Sequence, residues 1–193
     1  MPMCEASALN SIVENDSFAI VELGDPRLKQ VAGPVMAGQW AEALRIASIM
    51  QQKMLERDGV GIAAPQIGVS WQMLIIASRP NVRYPDAPLM EPMLLINPEP
   101  VAYSERWVKD WEGCLSVPGL RGWVPRPDAV TVSYRNAAGE ARTQTFTDFP
   151  ARIFLHEYDH LIGKTFLDRL ASLDDLVSQR VYEQRMGLMS SGR

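Results

Sequence analysis

Histidine is nearly absent: the chain of 193 residues holds two. Cysteine is as rare, at Cys4 and Cys114. That excludes a disulfide framework and suits a reducing compartment, where a lone thiol is free for metal or catalysis. No apolar run approaches the roughly 20 residues that a membrane span needs. A basic excess is missing too. Lys and Arg number 19 against 23 Asp and Glu, a net charge of -4. This argues against loose electrostatic binding along DNA. The opening MPMCEASALNSIVEND lacks the positive start and apolar stretch of a secretory signal, and no arginine precedes Arg27, which disfavours a transit peptide. These absences leave the cytoplasm as the default location, with no membrane and no direct DNA partner expected.

What is present is ordinary for a globular chain: 47% hydrophobic and 22% charged residues. The length suits one domain with its own core. Residues 1–16 read as a leader, 17–187 as the domain and 188–193 as a frayed tail. FAIVEL (18–23) predicts a strand. From Gln39 to Arg57, Trp40, Leu44, Ala47, Met50 and Met54 recur at helical spacing. QMLIIAS (72–78) and MLLIN (93–97) predict strands. The stretch 112–127, rich in proline and glycine, reads as a connection with at most a short strand. Residues 129–136 and 141–148 form a hairpin around a glycine turn. A helix opens at Pro150, with Thr147 or Asp148 as cap, and runs to Gly163. A last helix spans 172–186, with Ser172 and Asp175 as a capping box. Strands sit in the middle, helices near the ends, and no βαβ alternation or repeat occurs. The fold class is α+β: a single domain, mainly antiparallel sheet packed around a central helix, with a C-terminal helix.

That central helix carries both histidines, in FLHEYDHLIG (154–163). Residues i and i+4 share a helix face, so His156 and His160 can aim at one metal ion. Glu157 stands one position round, placed to face a water rather than the metal, as in HExxH hydrolases. The bland alternative is two neighbouring histidines of no consequence. Phe154, Tyr158, Leu161 and Ile162 argue against it: they bury the helix, and a bare histidine pair with a carboxylate is costly to bury. A catalytic metal commonly takes three protein ligands. With no third histidine, the candidates are Glu183 downstream and Cys114 upstream. A free cysteine is also commonly a small core residue. The loop GVGIAAPQIG (59–68) is too rich in glycine and proline for an element interior and is no phosphate cradle.

Taken in order, GVGIAAPQ, EGCLS and HEYDH resemble the peptide deformylases, with supporting similarity from about Gly24 to about Arg169. The resemblance implies that Cys114, His156 and His160 hold the metal. It implies Fe(II), with zinc, nickel or cobalt able to occupy the site. The implied reaction removes formyl from the N-terminal methionine of nascent chains and releases formate. Glu157 is then general base and acid. The Gln66 amide and the Leu115 backbone N–H are the oxyanion donors. Val60 and Ile153 line the methionine slot, Gly61 with SVPGL holds the peptide extended, and Arg121 stands near the substrate. Gly59 and Gly61 let the chain approach the metal closely. Glu112 and Arg126 form an ion pair bracing the cysteine loop. In some members the C-terminal helix docks on the ribosome; here Arg180, Arg185 and Arg193 offer charge against Glu183, and a solvated helix face is the competing reading. A binding module without catalysis is disfavoured, because it needs neither Glu157 nor Gln66. The chain departs from the pattern at Leu155, where many members carry glutamine, and in a longer, proline-rich 79–91 loop expected to form a flap.

Overall fold

The computed structural model describes residues 18–80, 84 and 87–187. The expected leader and tail lie outside these, as do five positions of the 79–91 loop. Helix α1 (Trp40–Glu56) buries Ala43, Ile46, Ala47, Met50 and Met54, one stripe at helical spacing. Leu44, expected on that stripe, is only half-buried at its edge. The helix stops where Asp58 turns left-handed (φ 51°) and the Gly59 N–H closes onto the Met54 carbonyl at 2.9 Å.

Five strands form the larger sheet: β1 (Gly61–Ala63), β2 (Met73–Ile76), β3 (Met93–Tyr103), β6 (Ala129–Arg135) and β7 (Ala141–Thr147), in the order β1-β2-β3-β6-β7. Strands β4 (Trp107–Cys114), β5 (Val117–Pro127) and β8 (Leu176–Ser178) form the smaller one. Every paired neighbour runs antiparallel. Helix α2 (Asp148–Leu161) carries the histidines. Strand β2 shows why the layers stack as they do. Its side chains alternate between faces. Met73 and Ile75 join the core of α1, while Leu74 and Ile76 join the core of α2 with Phe154 and Leu161. At β2 the sheet is therefore covered on both faces, and this strand is buried throughout.

Five local expectations change. The stretch 59–68 holds strand β1, buried and paired with β2, and the 3₁₀ turn Ala64–Ile67. Residues 18–23 are not a strand: Val21 N–H bonds the Gln66 carbonyl (2.8 Å) and Leu23 N–H bonds the Ser116 carbonyl (2.7 Å), tying two separate loops together instead of joining a sheet. Strand β3 runs on through Pro98 and Pro100, because register shifts between Ile96 and Glu99 and between Pro100 and Ala102 take up the missing donors. The connection at 112–127 is a long hairpin of β4 and β5. Strand β8 pairs only with Leu120–Gly122, so Pro125 and Pro127 lie where β5 has one neighbour and needs no donor on its other side. The last helix is short. Ser172 caps only a 3₁₀ turn, Leu176–Ser178 leave to pair with β5, and α3 spans Gln179–Arg185. Leu173, assigned to its apolar side, is 81% exposed.

Helix α2 also starts earlier than Pro150. Thr147 is its extended cap residue without a side-chain bond, and Asp148 (φ 52°) donates its N–H to the Asp128 carbonyl at 2.7 Å. Pro150 falls in the first turn, where N–H groups have no helical acceptor anyway. Among the described residues no helix is long and apolar enough to cross a membrane.

Phe154 is fully buried between Phe146 (ring centroids 5.9 Å) and Tyr158 (5.7 Å). Phe154→Ala should therefore cost about 3–5 kcal/mol, read as a lowered urea midpoint at unchanged m-value; a loss under about 1 kcal/mol would show that the site collapses onto the cavity.

Candidate metal centre

Three elements deliver the site. Helix α2 presents His156, Glu157 and His160; the bulged end of β4 presents Cys114; the 3₁₀ turn Ala64–Ile67 after β1 presents Gln66. One ligand atom each from Cys114, His156 and His160 falls within 4.8 Å of the others, a group that can hold a metal ion. Cys114 Sγ lies 3.2 Å from His160 Nε2. The Gln66 amide donates to Cys114 Sγ (3.4 Å) and Ser116 Oγ (3.2 Å), while its oxygen accepts the Ala63 N–H (2.8 Å). Glu183, the other candidate for third ligand, stands on α3, accepts from Gln179 (2.8 Å) and is not in this group.

The electrostatics suit a cation. Burial pushes the Cys114 thiol up, but His160 and His156 beside it outweigh burial and hold it well below its usual value. Burial lowers His156, yet Cys114 and Glu112 outweigh it and leave the imidazole well above its usual value. Glu157 is raised to about 7, first by burial. Its Oε2 and the Nδ1 of His160 are buried without a hydrogen-bond partner among the described residues. Buried polar atoms are rarely left so. A thiolate, two imidazoles and an adjacent orphan carboxylate oxygen fit a transition metal with a water beside it.

Glu112 holds this arrangement from behind. Its carboxylate accepts from Arg126 (3.0 Å twice), from Arg152 (2.9 Å) and from His156 Nδ1 (2.9 Å). The last bond orients the ring and leaves its other nitrogen for a ligand. Arg126 continues to Asp159 (2.6 Å), which also accepts from Arg169 (3.1 Å). The expected Glu112–Arg126 pair is thus one link in a larger buried network. Arg152 and Asp159 escaped the sequence reading, although helical spacing could have found them: Arg152 precedes His156 by four residues and Asp159 follows it by three.

The cleft over the donors is lined by Gly59, Val60, Gly61, Leu115 and Ile153, and also by Tyr84, Trp111, Phe149 and Arg152. Gly61 is a spatial requirement. A Cβ there would lie 2.6 Å from Glu157 Oε1 and 2.8 Å from Ile153 Cγ2. At Gly59 the space is tight rather than closed, with Met54 at 3.2 Å and Leu115 at 3.4 Å. Arg121 stands directly behind the cleft lining: its Nη1 donates to the hydroxyl of Tyr84, a lining residue, at 3.3 Å. It is 3% exposed, does not line the cleft, donates to Gln179 (2.7 Å) and packs over the Tyr182 ring. Gly113 leaves room for its guanidinium. The side chain therefore braces β5 against α3. Leu155 is buried in the α2 core, away from the metal donors.

A family model described as Polypeptide deformylase matches residues 17–175. The chain belongs to the peptide deformylase family. It is an enzyme, a hydrolase. Peptide deformylase 2 of Nostoc sp. is 46% identical over 171 residues, spanning 86% of this chain and 92% of the relative. The Met-Ala-Ser-bound crystal structure of a class I type b peptide deformylase from Acinetobacter baumannii superposes with a TM-score of 0.77 at 44% identity, over 79% of this chain and 98% of that one. The peptide deformylase of Thermotoga maritima gives 0.70 at 33% identity, over 80% and 98%. The α+β fold with antiparallel sheets is that of these deformylases.

Two substitutions test how the hydrolase site is held. Glu112→Ala leaves Arg126 and Arg152 buried without their carboxylate and frees the His156 ring. We expect a loss of about 3–5 kcal/mol in stability and less metal per purified chain by elemental analysis; unchanged metal content would remove the orienting role. Gly61→Ala should keep its metal but displace Glu157, lowering kcat/KM about 100-fold. Wild-type turnover in that variant would show that Glu157 needs no such room.

Proposed function

We propose that this chain is a metal-dependent deformylase that removes the N-formyl group from the N-terminal methionine of nascent peptides and releases formate. The observation that carries the reading is the convergence of Cys114, His156 and His160 beside the buried, unpartnered oxygen of Glu157. Family membership supplies the substrate class. The resident metal in this reading is Fe(II), with zinc, nickel or cobalt able to occupy the same donors. Bound there, the cation supplies Lewis acidity that makes water a better nucleophile and draws charge from the formyl oxygen.

The chain's own groups do the rest. Glu157, raised by burial toward neutrality, takes the proton of the attacking water and delivers it to the leaving amine. The Gln66 amide is fixed at its oxygen end by the Ala63 N–H. Its NH₂ end, with the Leu115 backbone N–H, donates to the oxygen that gains charge. Val60 and Ile153 give the methionine side chain an apolar wall, and the Gly61 backbone with residues 116–120 holds the peptide extended.

The test is direct. Load the protein anaerobically with Fe(II), add a formyl-Met peptide and measure formate. Wild type should release it; none at any metal loading overturns the function. Glu157→Ala should retain metal and lose turnover by about 10²–10⁴-fold. Cys114→Ser should lose or exchange metal, whereas Glu183→Ala should retain it.

A further inference from the structure

Helix α2 also lines another cavity, which shares no lining residue with the cleft over the metal donors. Leu155, Tyr158, Asp159 and Ile162 recur at helical spacing and line it from the helix side. Tyr103 and Trp107 stand at its rim, 54% and 64% exposed, and Pro125 with Pro127 form the wall given by β5. Of these residues only Asp159 reaches the catalytic site, indirectly, through Arg126 and Glu112 behind His156.

The cavity has a polar end as well. Arg126, Asp159 and Arg169 line it. Within the connected network, three guanidinium groups (Arg126, Arg152, Arg169) meet two carboxylates (Glu112, Asp159), leaving one positive charge in excess. Arg152 also donates from Nη1 to the Val124 carbonyl and from Nη2 to the Val108 carbonyl. Arg169 spends Nε and Nη2 on Asp159 while its side chain is 35% exposed. Its Nη1 has no hydrogen-bond partner among the described residues. Glu99, the other carboxylate near Tyr158, is exposed on β3, where solvent screens it. Arg126 and Asp159 are 4% and 1% exposed and held by their mutual bond, so this end is already ordered before anything enters.

We propose that this cavity binds a small monocarboxylate with a flat aromatic body, its carboxylate on Arg169 and its ring between Trp107, Tyr158 and Leu155. The charge excess selects a single negative charge, and the aromatic rim selects a flat apolar body.

Calorimetric titration of the metal-loaded, full-length protein tests this, with indole-3-propionate and its amide as probes. The acid should bind with a Kd of roughly 1 mM or tighter, and the amide at least about 10-fold more weakly. Trp107→Ala should weaken the acid about 10-fold while deformylation kcat/KM stays at the wild-type value. Arg169→Gln should erase the preference for acid over amide. A carboxylate can also reach the catalytic metal, so the titration is repeated with a saturating methionyl tripeptide in the cleft. Undiminished binding supports the second cavity. Binding that the tripeptide abolishes and Trp107→Ala spares belongs to the metal and overturns the proposal. So does equal affinity for acid and amide, or no binding of either.

Discussion

One buried carboxylate organises the centre of this molecule. Glu112 sits at the end of β4, 3% exposed, with Arg126, Arg152 and His156 around it. An isolated carboxylate in such a place would be protonated or expelled. Here burial raises its pKa, but Arg126 and His156 outweigh burial and hold it well below the usual carboxylate range. Two cations make the anion tolerable, and the anion in turn makes the two arginines tolerable. The energetic sum of such a group is small compared with its parts, because desolvation consumes most of the attraction. What it provides is position. The small sheet, the central helix and the ring of one candidate ligand share a single fixed point.

The same logic links sheet to helix elsewhere. Asp159 accepts from Arg126 on β5 and from Arg169 beyond the helix, so α2 is fixed along its length as well as at His156. On its other face α2 is held by apolar packing against β2, with Phe154 fully buried. The thiol and the Gln66 amide are brought in by separate means. The β4 bulge aims Cys114 at the helix, and the segment at 18–23 binds the Gln66 turn to the Ser116 loop through two backbone bonds. The site therefore depends on elements far apart in the chain, each held by a different kind of interaction.

Much of the candidate site was legible because its signals are local. His156, Glu157 and His160 fall within five residues, and helical spacing alone sets them on one side. The hairpin at 129–147 announced itself by alternation and a glycine turn. The misreadings have a common cause. Pro125 and Pro127 spoke against a strand because their missing donors are harmful only if both neighbours are present, and the number of neighbours is not a local property. Leu176 and Val177 looked helical because their propensity permits it; pairing with Arg121 and Gly122 decided otherwise. The contacts that hold Arg121 are equally non-local: Gln179, Tyr84, the Tyr182 ring and the space left by Gly113.

The sequence by itself determined the chemistry on offer: two imidazoles and a carboxylate within one helical turn, with one thiol and one amide on separate upstream segments. Side-chain chemistry and the 3.6-residue period suffice for that. Only the tertiary structure decided which of Cys114 and Glu183 reaches the histidines, why Gly61 must lack a side chain, and which side chains surround Glu112. Those are matters of distance between segments up to about a hundred residues apart. Such distances arise from burial and pairing across the whole chain, and no local pattern contains them.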